Sequence, residues 1–453
     1  MHWIRKRLAQ FSARTAFHEE GASLTYAGFI QRIESLEETL ATGLAKTGPE
    51  VVAVQEARAS ESLAALLALA SLGKTALPLD PDSPEAGQQK QIASARWTLR
   101  DGKLLPETAP RQPHPLLHQL AGSGHPGLIL FSSGTTGQPK GMLHDLKHLL
   151  DRYKKVQPRT DTTLQLLPVD HIGGLDAALR TLCAGSALVI PDARTPDAAG
   201  QSIAAHQVNV LPASPTFLNL MLIAGVPRRH DTSSLEVIAY GAEPMPPSLL
   251  EKLSAAFPGA DLQQKFGTSE TGAVRVKSGE SGSLAFSFSD SDTEWKTVDG
   301  ELWLRSSSRI LGYLNPEADS TSLLDDGWFR TGDMVEVTDG GLLRIIGRRQ
   351  DLINVGGEKV TPLEVESVIM EMPEIADCQV QGEENAITGQ SVAALVVPHG
   401  DIDPRELKRA IKQYCRKRLS TYKVPARIQI SDQAEYSERL KKTRHRQEPG
   451  PDA

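Results

Sequence analysis

The sequence predicts an α/β fold. It has a large N-terminal domain of layered parallel α/β sheets with a β-rich subdomain, followed by a small C-terminal α+β domain. Three observations predict it. Helix-like and strand-like segments alternate through the first half of the chain, as parallel strands joined by crossover helices require. The texture changes near Gly282, where Glu301 to Arg305 and Leu342 to Ile346 read as antiparallel strands joined by glycine turns. A length of 453 residues exceeds one ordinary domain, and the compact last stretch, roughly 100 residues, is long enough for a second.

Taken in order, Phe29 to Leu44 carries helical spacing, Val51 to Val54 is a short β-branched run, Glu61 to Leu72 is helical again and Thr75 to Leu79 is strand-like. The alternation continues through the apolar runs Ala187 to Pro191, Val208 to Pro212 and Val237 to Tyr240. Pro106 to Pro126, rich in Pro and His, reads as an irregular link. His114 and His118 within it lack the helix-spaced partners or companion cysteine that a metal site needs. The domain boundary falls at Gly347-Arg348-Arg349, giving domains 1–347 and 348–453.

Composition points to a globular enzyme. Hydrophobic residues make up 40% and charged residues 23%. The longest apolar candidate, Ser62 to Gly73, is too short to span a bilayer, so no integral membrane segment is expected. The basic N-terminal cluster Arg5, Lys6 and Arg7 has no apolar core after it, which argues against a secretory signal. Cys183, Cys378 and Cys415 lie far apart without metal-ligand spacing, so they read as packing residues of a cytoplasmic protein.

The net charge of −7 hides an asymmetry: Arg405 to Arg446 holds 14 Lys/Arg against 4 Asp/Glu, a local +10 that leaves −17 for the rest. Such a segment attracts polyanions. Yet Leu407, Ala410, Ile411, Tyr414 and Cys415 recur between the charges at helical spacing, which reads as a solvated helix face and implies no nucleic-acid partner.

One stretch carries chemistry openly. The apolar run Leu128 to Phe131 opens into Ser132-Ser133-Gly134-Thr135-Thr136-Gly137-Gln138-Pro139-Lys140-Gly141. Glycines let backbone N–H groups approach phosphate oxygens, the hydroxyls of Ser132, Ser133, Thr135 and Thr136 add donors, and Lys140 adds a mobile cation. The loop reads as a phosphate clamp. It is not the P-loop of kinases and GTPases, where Gly-Lys precedes Ser or Thr; here Lys140 stands between Pro139 and Gly141.

In its order this loop resembles the signature of the adenylate-forming superfamily, which includes acyl-CoA synthetases, peptide-synthetase adenylation domains and luciferases. Further segments resemble that family in the same order, from Leu24-Thr25-Tyr26 and Pro78-Leu79-Asp80-Pro81 to the terminal lysines. The resemblance implies an AMP-forming ligase. It would join a carboxylic acid to ATP as an acyl-adenylate, then pass the acyl group to a thiol, with ATP, Mg²⁺ and coenzyme A as cofactors. Such chemistry needs a grip on ATP, a metal to neutralise the phosphates and a cation for the α-phosphate.

The resemblance also implies roles. Thr135 and Lys140 would act on the phosphates together with Ser132, Ser133, Gly134, Thr136 and Gly137. His171, in Leu167-Pro168-Val169-Asp170-His171-Ile172-Gly173-Gly174, would line the acyl pocket. Gly241, Ala242 and Glu243, after Tyr240, would contact adenine. In Phe266-Gly267-Thr268-Ser269-Glu270, the aromatic ring would pack on adenine, the hydroxyl of Ser269 would reach the α-phosphate and Glu270 would hold Mg²⁺. Asp333, in a tight turn, would take the ribose hydroxyls, and Arg348 would hold the ribose or a phosphate. Gly357, in Gly356-Gly357-Glu358-Lys359, would admit the phosphopantetheine arm after the small domain rotates, which makes that domain mobile. The adenylation lysine would be Lys441, spaced correctly from Arg444, with Lys442 as its neighbour and rival.

Two positions depart from the family pattern. Gln350 stands where the hinge carries Asp or Lys, and Leu440 stands where a glycine precedes the lysine. Amino-acid-adenylating relatives place an aspartate where His171 falls. Asp170 lies one residue earlier, and alternation along an extended segment would turn it away from the pocket, so a non-amino carboxylic acid is the expected substrate. The acceptor is expected to be coenzyme A. The alternatives are an acyl-carrier protein, which would meet the basic segment, or a catalytically impaired nucleotide-binding relative.

Overall fold

In the computed structural model, residues 2–46, 48–108, 112–133, 139–279, 283–315 and 320–431 are described. Two seven-stranded sheets dominate the first 315 residues. One runs in the spatial order 261–264, 237–240, 210–213, 162–164, 187–189, 15–19, 22–25, all parallel except the last pair. The other runs 312–313, 139–145, 127–133, 75–78, 51–54, 97–100, 103–106, with its parallel strands in the middle.

The strands Val51–Val54 and Thr75–Pro78 are buried at every position, because helices or a second layer cover both faces. Helix Tyr26–Gly43 starts where the Thr25 hydroxyl accepts the N–H of Gly28, and it buries Phe29, Ile33, Leu36 and Leu40 at helical spacing. Helix Ala59–Ser71 is buried on almost all sides, and its alanines let it lie between layers. These two helices share one continuous core with Leu175, Ala178 and Leu182 of helix Ile172–Ala184, which ties the sheets together.

A six-stranded antiparallel sheet follows, in the order 276–278, 285–288, 343–348, 329–337, 301–306, 293–298. The strand Phe329–Val337 alternates buried and half-buried residues along most of its length, the pattern of a sheet with one face on a core. Phe266, Phe286, Leu302, Leu304, Val335 and Leu343 form that core. The last strand of this sheet ends at Arg348, and the next strand, Ile353–Val355, belongs to the final sheet.

That final sheet has the long hairpin Ile375–Asn385 and Gly389–Pro398 at its centre, with Ile353–Val355, Glu358–Val360 and Arg427–Ile430 beside it. Helix Pro404–Arg416 starts at Asp403, whose carboxylate accepts two backbone N–H groups, and it turns Leu407, Ile411 and Cys415 inward. Its basic residues lie on the opposite face, while Ala410 is exposed. The small unit rests on the large one through Asn219, which donates to the carbonyl of Ala376, and Lys252, which donates to that of Met370.

The segment Pro106 to Pro126 is not an irregular link throughout. It contains helix Pro115–Gly122, begun by His114, whose ring nitrogen accepts the N–H of Leu116. Proline at the first helical turn favours that start. All three cysteines are buried, and burial pushes the Cys183 thiol up to about 12 and that of Cys415 to about 11, so both pack as neutral groups. Among the described residues, no helix is long and apolar enough to cross a membrane.

Candidate active site

A cleft of about 1440 Å³ lies at the carboxyl ends of the parallel strands, where a twisted open sheet leaves room for a ligand. Ser132 and Lys140 face it from opposite sides of one antiparallel pair. Gly134, Thr135, Thr136 and Gly137 between them, and the side chain of Ser133, lie outside what is described, as does Lys441. The returning strand is braced by Asn315, whose amide oxygen accepts the N–H of Gly141 at 3.0 Å and whose NH₂ donates to the carbonyl of Pro139 at 3.2 Å. Sequence reading missed this residue.

His171, Gly241, Ala242, Glu243, Phe266, Gly267, Thr268, Ser269, Glu270 and Arg348 all reach the same cleft. His171 is the residue before helix Ile172–Ala184, and its side chain does not cap the helix. The segment before it is a turn and not an extended strand, so the alternation expected for Asp170 does not hold: its Oδ1 lies 3.9 Å from Nε2 of His171. Gly174 is glycine because a Cβ there would meet the carbonyl oxygens of Pro168 and Leu167, so its smallness serves helix packing and not ligand approach.

Past strand Val237–Tyr240, a Cβ on Gly241 would lie 2.8 Å from the carbonyl oxygen of Lys265, so the two neighbouring strand ends are drawn close. Ala242 then takes the left-handed conformation, φ 69°, which costs a non-glycine residue on the order of 1 kcal/mol. Glu243 accepts the N–H of Thr216 at 3.3 Å, at the start of helix Pro215–Ile223.

Phe266–Thr268 and Gly272–Val274 form a small hairpin. A Cβ on Gly267 would collide with Ala273 across it. The Phe266 ring stacks on Phe286, centroids 5.7 Å apart, so much of its surface is already used in the core. The Thr268 hydroxyl accepts the N–H of Thr271 and is spent on the turn, whereas Ser269 is half-buried on the cleft. Glu270 accepts the hydroxyl of Tyr313 at 3.2 Å, and its carbonyl accepts the N–H of Ile310.

Asp333 lies within strand Phe329–Val337 and not in the tight turn expected of it; the left-handed turn residue is its neighbour Gly332, φ 72°. Its carboxylate is buried behind the cleft wall and pairs with Nε of Arg348 at 2.9 Å. Burial pushes its pKa up to about 6; Arg348 pulls it down, and Glu270, Glu301 and Asp351 push it further up. Glu301, also buried, is held by Arg349 at 2.9 Å. Gln350 lies on the cleft in a short 3₁₀ helix. Gly357 is away from the cleft, at the tip of a hairpin whose turn residues Gly356 and Gly357 have φ 61° and 96°.

The opposite end carries charges that the sequence did not single out. Asp176 accepts the Tyr153 hydroxyl at 2.7 Å and faces Nη2 of Arg180 at 3.6 Å. Lys265 opens onto the cleft water, yet the protein around it, and then Arg180, hold its ammonium below the ordinary range.

Comparison with known proteins agrees with this geometry. The family model for AMP-binding enzymes matches residues 88–314, and that for the AMP-binding enzyme C-terminal domain matches 364–446. A 2-succinylbenzoate–CoA ligase of Bacillus licheniformis is 30% identical over 337 residues, covering 70% of this chain and 69% of that protein. An indoleacetate–CoA ligase of Aromatoleum aromaticum is 28% identical, covering 95% and 94%. In fold, the chain is similar to the anthranilate CoA ligase AuaEII solved with anthranoyl-AMP, with a TM-score of 0.81 at 19% identity over 96% of this chain and 94% of that one.

Proposed function

The chain belongs to the AMP-binding enzymes, in the acid–thiol ligase branch of the adenylate-forming superfamily, and on that premise we propose that it activates a non-amino carboxylic acid with ATP and transfers the acyl group to coenzyme A. The observation that carries the reading is convergence: segments as far apart as Lys140, His171, Gly241, Glu270 and Arg348 line one cleft. At about 1440 Å³ that cleft has room for a carboxylate beside the α-phosphate of ATP, which is the proximity the first half-reaction needs.

The family's metal fits the residues present. Glu270 faces the cleft, and burial, with Glu270, Glu301 and Asp351 beside it, keeps the pKa of Asp333 raised in spite of Arg348, a crowding of carboxylates that a divalent cation would relieve. Glu270 would hold Mg²⁺, which when bound neutralises phosphate charge. The chain's own groups do the rest: Arg348, positioned by Asp333 behind it, orients the ribose, Lys140 attracts the phosphates, and Lys441 stabilises the charge at the α-phosphate as pyrophosphate leaves.

For the acid, Arg180 and Lys265, balanced only in part by Asp176, Asp261 and Asp290, favour a substrate with a polar or anionic group at its distal end. The names 2-succinylbenzoate and indoleacetate borne by relatives make aryl acids the first to try. A panel of aryl, dicarboxylic and fatty acids, read by pyrophosphate release and then by acyl transfer to coenzyme A or to an acyl-carrier protein, tests the proposal. Acid-dependent pyrophosphate followed by acyl-CoA supports it. Acyl-carrier loading without acyl-CoA, or no acid dependence at all, contradicts it.

A further inference from the structure

We propose that His125, Asp145 and His148 form a binding site for a divalent transition cation, Zn²⁺ by its chemistry, at the end of the strand pair opposite the phosphate loop. One ligand atom from each lies within 4.8 Å of the others. Nδ1 of His125 is 2.7 Å from Oδ2 of Asp145, and Nδ1 of His148 is 3.3 Å from that same oxygen. Two imidazoles aim the same ring nitrogen at one carboxylate oxygen, and the rings stand edge to face with centroids 5.5 Å apart. Zn²⁺ binds nitrogen and oxygen at about 2.0–2.1 Å, so neighbouring ligands of a tetrahedral ion lie roughly 3.3 Å apart. Two of the three separations, 2.7 and 3.3 Å, are at or somewhat under that spacing, the third is within 4.8 Å, and His148, half exposed, leaves the fourth position to water.

The positions are rigid. Asp145 ends the strand Pro139–Asp145 opposite Gly127, and His125 lies two residues before Gly127. The N–H of Leu146 donates to the carbonyl of Pro126 at 3.0 Å, closing the junction. Asp145 also begins helix Leu146–Asp151: its Oδ1 accepts the N–H of His148 at 3.2 Å. That bond occupies one carboxylate oxygen and presents the other to the imidazoles, the kind of outer support that metal ligands require. Along strand Pro139–Asp145 the cluster's Asp145 lies five steps from Lys140 of the phosphate loop, about 17 Å at the usual rise. The ion would therefore brace the fold and take no part in the chemistry. Binding through Nδ1 requires each imidazole to carry its proton on Nε2.

The test uses the full chain without a histidine tag, stripped with chelator and kept in saturating Mg²⁺, which prefers oxygen ligands and leaves nitrogen sites open. ZnCl₂ is titrated by calorimetry and bound metal is counted after dialysis; CoCl₂ is titrated while visible absorption is followed. One tight equivalent is expected, with the absorption of tetrahedral Co²⁺. His125→Gln and His148→Gln should each weaken that equivalent tenfold or more and abolish it together. The metal-free double variant should match the metal-free parent in melting temperature and ligase activity. No saturable Zn²⁺ uptake, or uptake unchanged in either single variant, overturns the site.

Discussion

The two ends of the cleft differ in charge: Glu270, Glu301 and Asp351 stand among Arg330, Arg348 and Arg349 at one, whereas Lys155, Arg159, Arg180 and Lys265 outnumber Asp161 and Asp176 at the other. Burial raises the pKa of Asp333 first of all; Arg348 pulls it down, and Glu270, Glu301 and Asp351 push it up. At the other end Arg180 and Lys265 both face Asp176, with Asp290 near the arginine and Asp261 near the lysine, and burial and then Arg180 hold the lysine below its ordinary range. The difference teaches which substrate each end suits. A carboxylate-bearing wall suits a nucleotide that arrives with a metal, and a cation-rich wall suits an acid with more to offer than a hydrocarbon tail.

The largest effect is expected from the adenylation lysine that the family resemblance points to. Lys441→Ala should lower acyl-adenylate formation by about 10²-fold or more, the loss expected for one electrostatic donor to a transition state, while Lys442→Ala does much less. Equal losses in pyrophosphate release would refute the spacing to Arg444. Next comes Asp333→Asn. Because the folded pKa, about 6, lies above the ordinary 3.8, ionisation of Asp333 opposes folding: the cost is absent well below pH 4, grows through the interval and is complete above about pH 6. The asparagine variant should therefore gain up to about 3 kcal/mol over the parent at neutral pH and nothing near pH 3. Denaturant melts across that range check it; a constant difference at all pH values contradicts the assignment.

Glu270→Gln should raise the Mg²⁺ concentration for half-maximal pyrophosphate release by about tenfold, one lost charge-assisted contact, with the melting temperature kept. An unchanged Mg²⁺ curve removes the metal role. The smallest effect on adenylation is expected from Gly357→Leu. Its turn is away from the cleft and a Cβ there has open space, so only the strain of φ 96° is added locally. Acyl transfer to coenzyme A should fall while pyrophosphate release stays; a parallel fall in both removes the domain-rotation role proposed for the loop.

Much of this was legible in the sequence because phosphate and adenine loops are local. Gly241 and Gly267 are needed for backbone approaches within one or two strands, and short motifs record them. Strand Val237–Tyr240 stood out because a parallel strand between layers is apolar throughout. Other features depend on contacts between distant segments. Asp176 and Arg180, four residues apart on one helix, look like an ordinary surface pair until the fold turns them to the cleft with Lys265. Asp333 gave no sign that its strand would bury it beside Arg348, fifteen positions on. For Asp170 the geometry was wrong and the placement was not: Val169 and Asp170 form a turn where an extended run was assumed, yet His171 and not Asp170 is among the residues lining the cleft. His125, Asp145 and His148 meet only because the strands Gly127–Ser133 and Pro139–Asp145 pair in a particular register.

The claim that one cleft holds ATP at its carboxylate-bearing end and the carboxylic acid at its basic end is tested most directly by measuring KM for both substrates in two variants. Arg180→Met should raise KM for the acid about tenfold or more and leave KM for ATP unchanged, as a lost charged contact does when it serves one ligand. Asp333→Asn should do the reverse. If either variant moves both constants equally, or Arg180→Met moves only that for ATP, the assignment of the two ends is wrong.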